Sequence, residues 1–157
     1  MTSTRVHTCT GDLLQADVAA QVNPVNIVGV MGKGLALRFK HTYPAMFADY
    51  QQACRSGELV LGRMHVWDAG ERIRPRYVIN FPTKGHWRSR SSIDDIEAGL
   101  TDLVATVRRL GIDSLAVPAL GAGLGGLHWA DVEPLIRAAF ADVPGVHLHL
   151  YPPRQPW

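Results

Sequence analysis

The chain has 157 residues, with 16 Lys and Arg against 14 Asp and Glu, 46% hydrophobic and 19% charged residues. It is too apolar for a disordered chain and too poor in charge for a coiled coil. Its length suits one domain, and no apolar run approaches the ~18 residues that a membrane span needs. Residues 1–7 lack the apolar core of a secretory leader, so the expected location is the cytoplasm. Cys9 and Cys54 form no metal-spaced cluster and read as reduced thiols.

In chain order, residues 6–10 alternate with a β-branched bias and stop at Gly11-Asp12, which predicts a strand. A second strand is expected over 20–25. The run 29–34 is too rich in glycine for a regular element. Residues 35–43 are helix formers with Leu35 and Phe39 one turn apart, and Pro44 interrupts them. Met46, Phe47, Tyr50 and Cys54 recur at helical spacing up to Gly57, a C-cap residue. Strands are expected over 64–68 and 77–81. After Ser91-Ser92, the residues Ile96, Leu100, Leu103, Val104, Val107 and Leu110 share one helical face. Ser92 with Asp95 three residues on has the form of a capping pair. A strand over 114–118, a glycine loop over 121–126, a helix through Val132, Leu135, Ile136, Ala139 and Phe140, and a strand over 147–151 complete the chain.

Strands alternating with helices predict an α/β sandwich on a largely parallel sheet, and no linker or repeat divides it, so residues 1–157 read as one domain. In such sheets the ligand lies beyond the carboxyl ends of the strands. The informative loops therefore begin at Gly11, Asn23, Pro82, Ala119 and Pro152.

Gly121, Gly123 and Gly126 match G-x-G-x-x-G between a strand and a helix, which suits either a phosphate cradle or a tight turn. A dinucleotide fold would need an acid at the end of the next strand, where Tyr151-Pro152-Pro153 stands instead. The loop Gly29-Val30-Met31-Gly32-Lys33-Gly34 lacks the Ser or Thr of a Walker A loop, and offers a second phosphate or sugar wall or a surface loop. In the third loop Lys84 precedes His86, Trp87 and Arg88. Nearby cations lower a lysine pKa, and a neutral lysine is a nucleophile, whereas a lysine past a strand end can also simply solvate the surface. Trp87 among cations suits stacking on a nucleobase. Residues 72–90 hold Arg72, Arg74, Arg76, Lys84, Arg88 and Arg90, and no acid. Asp12 suits either an adenine amino group or an Asx turn, and Asn23 and Asn26 suit ribose hydroxyls or loop backbone. Of the seven histidines only His147 and His149 are close-spaced, and the two alone are not a metal-ligand set.

Together these five loops resemble those of a macrodomain, the ADP-ribose-binding module, over about residues 8–153. The resemblance implies a three-layer α/β/α sandwich around a mixed, largely parallel sheet. It implies an adenine contact at Gly11-Asp12-Leu13 and a distal-ribose loop at Asn23, Asn26 and Met31-Gly32-Lys33-Gly34. It implies a diphosphate loop at Ala119-Leu120-Gly121-Ala122-Gly123-Leu124-Gly125, with Thr83, Tyr151 and Pro152 completing the substrate set. The runs 26–34 and 80–88 are similar to the DarG-type antitoxin branch, which is related to the terminal ADP-ribose protein glycohydrolase. In that branch the lysine matching Lys84 is catalytic. The glycohydrolase adds an aspartate whose position here is Gly125, which leaves Lys84 alone or with a substrate hydroxyl or phosphate as proton carrier. The family's DarG members carry a long C-terminal region that restrains a toxin, so a stand-alone enzyme or an excised domain is expected.

The resemblance thus predicts a hydrolase that cleaves ADP-ribose from a DNA base (thymidine or guanosine) or from an acidic protein side chain. No cofactor or metal is expected, and no membrane partner. DNA is favoured by the basic stretch, with contacts from His86, Trp87 and Arg88, and the protein is expected to be a monomer. The alternatives are a non-catalytic ADP-ribose reader and, more weakly, a phosphatase acting on small ADP-ribose phosphates.

Overall fold

The computed structural model describes residues 4–153. The elements in chain order are β1 (Arg5–Thr8), β2 (Ala20–Val25), α1 (Gly34–Thr42), α2 (Pro44–Arg55), β3 (His65–Asp68), β4 (Tyr77–Pro82), α3 (Ile93–Leu110), β5 (Ser114–Val117), α4 (Trp129–Phe140) and β6 (His147–Leu150). One 3₁₀ turn, Leu13–Gln15, follows β1. The sheet order is β1-β6-β5-β2-β4-β3, parallel throughout except for β3, which runs antiparallel to β4. Among the described residues no helix is long and apolar enough to cross a membrane.

Side-chain alternation along the strands divides the core in two. Ala20, Val22, Ile79, Phe81, Leu115, Val117, Leu148 and Leu150 pack with Ile96, Leu103 and Val107 of α3 and Val132, Ile136 and Phe140 of α4. Val25, Val78 and Ala116 face the other way, onto Phe39 of α1 and Met46, Tyr50 and Ala53 of α2. Helices on both faces make three layers. They explain why all six residues of β4 and all four of β5 are buried.

The expected elements form, with four differences. Pro44 does not merely end a helix: it opens α2 at its first turn, where a proline's missing N–H costs nothing. α4 starts at Trp129, one turn before its first fully buried residue. Asn23 lies inside β2, so that loop begins at Asn26. The basic stretch does not act as one surface: Arg76 makes a two-pronged contact with Asp68 at 2.9 Å and Arg74 pairs with Asp17.

The capping pair forms as expected. Ser92 Oγ accepts the Asp95 N–H at 3.2 Å and donates to its carboxylate at 2.9 Å, and Gly111 ends α3 in the left-handed conformation. Midway along α3, Gly99 lies against Phe81, and a Cβ there would stand 2.3 Å from the Phe81 ring. Alanine would ordinarily favour a helix over glycine by roughly 0.5–1 kcal/mol. Here the clash should dominate, so Gly99→Ala is expected to destabilise by about 1–3 kcal/mol. A chemical-denaturation midpoint equal to or above that of the parent would contradict this packing.

Candidate functional site

Beyond the carboxyl ends of β2, β4, β5 and β6 lies a cleft of about 1350 Å³. Pro24, Val25 and Pro118 line its base, and two loops form its walls. Asn26 shapes the first wall. Its Nδ2 donates to the Val30 carbonyl at 2.7 Å. Its Oδ1 accepts the N–H groups of Val28 and Val30 at 3.1 and 3.3 Å and the Tyr50 hydroxyl at 2.8 Å. The carboxamide is thereby committed to the loop backbone. Past it, Gly32, Lys33 and Gly34 line the cleft, with Lys33 as the N-cap of α1. Helix N-terminal amides and a lysine favour an anion here.

The second wall is the turn over 119–126, closed by Ala122 N–H to Ala119 O at 2.9 Å and Leu127 N–H to Gly121 O at 2.9 Å. Its glycines serve different ends. A Cβ at Gly125 would stand 2.4 Å from Ser91 Oγ and 2.6 Å from Gly121 O, and one at Gly121 would stand 2.8 Å from Leu127. Nothing lies within 4 Å of a Cβ built at Gly123, which lines the cleft. Gly121 and Gly125 are therefore glycines for the protein's own packing, and Gly123 leaves backbone bare toward the cleft.

Lys84 follows β4 directly. Thr83 N–H donates to Val25 O at 2.8 Å, which carries the strand pairing one residue further and fixes where the lysine emerges. Lys84 Nζ donates to the Trp87 carbonyl at 3.1 Å. Burial holds the amine's pKa below the usual lysine value. The cause differs from the expected one: burial lowers it, not the charges of His86, Arg88 and Arg90. Trp87 is 42% exposed, with the Arg88 guanidinium 4.5 Å from its ring centroid and the His86 ring 4.9 Å away. Trp87 and Arg88 line the cleft. Tyr151 and Pro152 close the far end, where burial and the neighbouring Cys9 thiol raise the Tyr151 phenol pKa, so it stays protonated.

Most of the expected residues meet in this one cleft: Leu13 at one end, Asn26 and the 32–34 run on one side, Ala119, Gly121, Ala122, Gly123, Leu124 and Gly125 on the other, Thr83 and Lys84 between them. Five do not line it. Asn23 is fully buried and donates to Asn80 Oδ1 at 3.1 Å, so it offers no amide to a ligand. Met31 is 1% exposed, packed in the α1/α2 core beside Asn23, and Leu120 is buried in the opposite core. His86 lies outside, bonded to the Arg88 N–H at 3.0 Å. Asp12 caps the 3₁₀ turn by accepting Leu14 N–H at 3.0 Å and pairs with Arg38, taking the Asx-turn role. Arg38 and Leu35 line the cleft and were not anticipated. Their spacing of one and four residues from Gly34 on α1 was the available signal.

A family profile for the macro domain matches residues 22–136. The chain belongs to the macro domain family. It is 54% identical over 143 residues to the DNA ADP-ribosyl glycohydrolase of Mycobacterium tuberculosis, covering 91% of this chain and 41% of that protein. A protein of the same name from Thermus aquaticus is 48% identical, covering 91% and 40%. The chain thus spans about two-fifths of the length of these relatives. Among solved structures it superposes on the macrodomain of M. tuberculosis DarG with a TM-score of 0.93 at 52% identity, covering 95% of this chain and 98% of that one. It superposes on Thermosipho africanus DarTG in complex with ADP-ribose at 0.87 and 36% identity, covering 97% and 43%. The fold is that of a macrodomain, as the loops implied.

Two expectations follow for this macro domain. Gly125→Asp should destabilise by roughly 1–3 kcal/mol, while Gly123→Ala should stay within about 0.5 kcal/mol of the parent in thermal unfolding. Equal effects would remove the distinction between the glycines. Lys84 should also react with an amine-selective acylating reagent at a lower pH than Lys33 or Lys40, because a lowered pKa puts its neutral form within reach sooner. Peptide mapping that finds Lys84 the slowest of the three would contradict the burial effect.

Proposed function

We propose that this macro domain is an ADP-ribosyl hydrolase that binds ADP-ribose along the cleft and cleaves it from an ADP-ribosylated DNA base. The observation that carries the reading is the Lys84 amine, weakened in basicity by burial, placed between two walls suited to a diphosphate. Gly123 lets phosphate oxygens approach backbone N–H groups, and Lys33 at the start of α1 adds positive charge opposite. The names of the glycohydrolase relatives and the ADP-ribose-bound DarTG structure support the same substrate.

In this reading the neutral Lys84 amine attacks the anomeric carbon of the distal ribose. A C–N bond forms to Nζ as the bond to the base breaks, and the leaving base takes a proton. Water then hydrolyses the sugar–lysine adduct, its oxygen going to the anomeric carbon and the amine returning to Lys84. Gly125 holds no carboxylate, and Ser91 occupies the space where one would begin, so an aspartate-assisted route through that position is closed. The proton therefore travels by water or by a hydroxyl or phosphate of the substrate. DNA is favoured over protein by the Trp87–Arg88 stack beside Lys84, which presents an aromatic face and a cation to an unstacked base and its phosphate.

Lys84→Ala should abolish release while leaving ADP-ribose affinity within a few-fold, because an interaction made chiefly in the transition state lowers turnover and not ground-state binding. Lys84→Arg should be equally inactive, since a guanidinium stays protonated. The assay pairs an oligonucleotide ADP-ribosylated on thymine or guanine with a protein ADP-ribosylated on glutamate. Full turnover by Lys84→Ala would leave the reader as the better reading, and release from the protein alone would reassign the substrate. Trp87→Ala should weaken binding of the modified oligonucleotide about tenfold or more, from a stacking contribution of roughly 1–3 kcal/mol.

A further inference from the structure

Ser91 ends the loop that begins at Lys84 and stands just before Ser92, the N-cap of α3. It is 8% exposed, and its Oγ is buried yet meets no hydrogen-bond partner among the described residues. Buried hydroxyls are normally paired, because an unpaired one has lost its hydration and gained nothing. The surroundings of this one are specific. Leu127 Cδ1, Ser91 Cβ and Ile96 Cδ1 crowd the point where a Cβ of Gly121 would stand, at 2.8, 3.1 and 3.2 Å. Ser91 Oγ and Gly121 O lie 2.4 and 2.6 Å from the point where a Cβ of Gly125 would stand. The hydroxyl and that carbonyl therefore face each other beneath Gly125 without bonding.

Three features suit them to meet. Gly121 O already accepts the Leu127 N–H at 2.9 Å, and a carbonyl oxygen has a second lone pair for a hydroxyl. Ser91 N–H donates to Gly125 O at 3.0 Å, which keeps the hydroxyl in register with the turn. The tip of the turn is not anchored by packing: nothing lies within 4 Å of a Cβ built at Gly123, and Leu124 is 70% exposed. An anion held by the amides of this bare turn reorients its peptide planes, the Gly121 carbonyl among them. A backbone adjustment of roughly 1 Å is ordinary on binding. It requires glycine at 125, since any side chain there would stand between the two oxygens.

We propose that Ser91 is a positioning residue of the diphosphate site. Its hydroxyl takes Gly121 O as acceptor when a diphosphate seats on the 119–126 turn, and so locks that turn to the loop carrying Lys84. The proposal rests on the ADP-ribose reading of the cleft. A bond made only in the bound state adds to ligand affinity and not to the stability of the free protein. A hydroxyl that served packing alone would do the reverse.

The test compares the parent with Ser91→Ala by calorimetric titration with ADP-ribose and by thermal unfolding without ligand. The free variant should melt at or above the parent, since it loses only an unpaired hydroxyl. It should bind ADP-ribose about three- to tenfold more weakly, the size of one neutral hydrogen bond. As a second measurement, ADP-ribose should slow amide exchange over residues 121–127 in the parent, and slow it less in Ser91→Ala. A parent that binds no ADP-ribose would overturn the reading of the cleft and the latch with it. A parent that binds, with Ser91→Ala binding equally well or with exchange over 121–127 slowed equally in both, would overturn the latch alone.

Discussion

β2 and β4 run parallel in a register that sets Asn23 opposite Asn80 and Val25 opposite Pro82, and the loops that follow leave the sheet side by side at one height. The cleft depends on that register. A slip of one residue would send each strand's alternating side chains to the wrong layer. The penalty is built in, because a polar row crosses the sheet on the α1/α2 face. Asn23 Nδ2 donates to Asn80 Oδ1, Asn80 Nδ2 lies 3.0 Å from His65 Nδ1, and His65 Nε2 lies 2.9 Å from Asp49 on α2. Misaligned, these buried amides would lose partners at roughly 1–3 kcal/mol each. The aligned register also lets Thr83 reach Val25 O, so the Asn26 wall and Lys84 emerge as neighbours.

This dependence explains what could be read from the chain and what could not. Strands and helices were legible because their signals are local: the 3.6-residue period of α3, the Ser92–Asp95 cap, and the short, mostly apolar runs of β4 and β5. The sheet edge that carries the site was legible too, since parallel strands bring their carboxyl ends together. What did not show was the side chain's direction. Asn23, Met31 and Leu120 belong to the right segments yet point into the two cores, and only the strand register and the packing of the loop against α1 decide that. Asn26, three residues beyond Asn23, turns its carboxamide onto its own loop and the Tyr50 hydroxyl of α2. Pairings between distant segments, such as Asp12 with Arg38 or Arg74 with Asp17, were equally invisible to spacing, and the pairs of Arg74 and Arg76 divide a basic stretch that looks continuous in sequence.

The glycine turn shows the same split at finer scale. A G-x-G-x-x-G run suggests three equivalent openings toward a ligand. In the fold Gly121 and Gly126 have positive φ, Gly125 is closed by Ser91 and by Gly121 itself, and Gly123 alone of the cleft-lining three could carry a side chain without touching the protein. The turn is therefore shaped by steric demands on its own backbone, with one position left for the ligand. Ser91 holds the arrangement by donating its N–H to Gly125 O at 3.0 Å. Because Ser91 begins the lead into α3, the second wall and the Lys84 loop are coupled through a single residue.

For the proposed substrate, the electrostatics of the cleft set a condition on the lysine. Burial favours the neutral amine, which is the form able to attack. A bound diphosphate brings negative charge into the same space, and opposite charge favours the protonated amine instead. The two effects oppose each other at the moment of reaction. Lys33 and Arg88 line the cleft with Lys84, and their positive charge offsets part of the field that the diphosphate would impose. Arg38 contributes less, since Asp12 already pairs with it. The cations of the walls thus have two roles in a hydrolase: they hold the anion, and they keep it from restoring a proton to Lys84. A reader needs only the first role, so a partly buried amine placed beside separate cations is an arrangement that binding alone does not require.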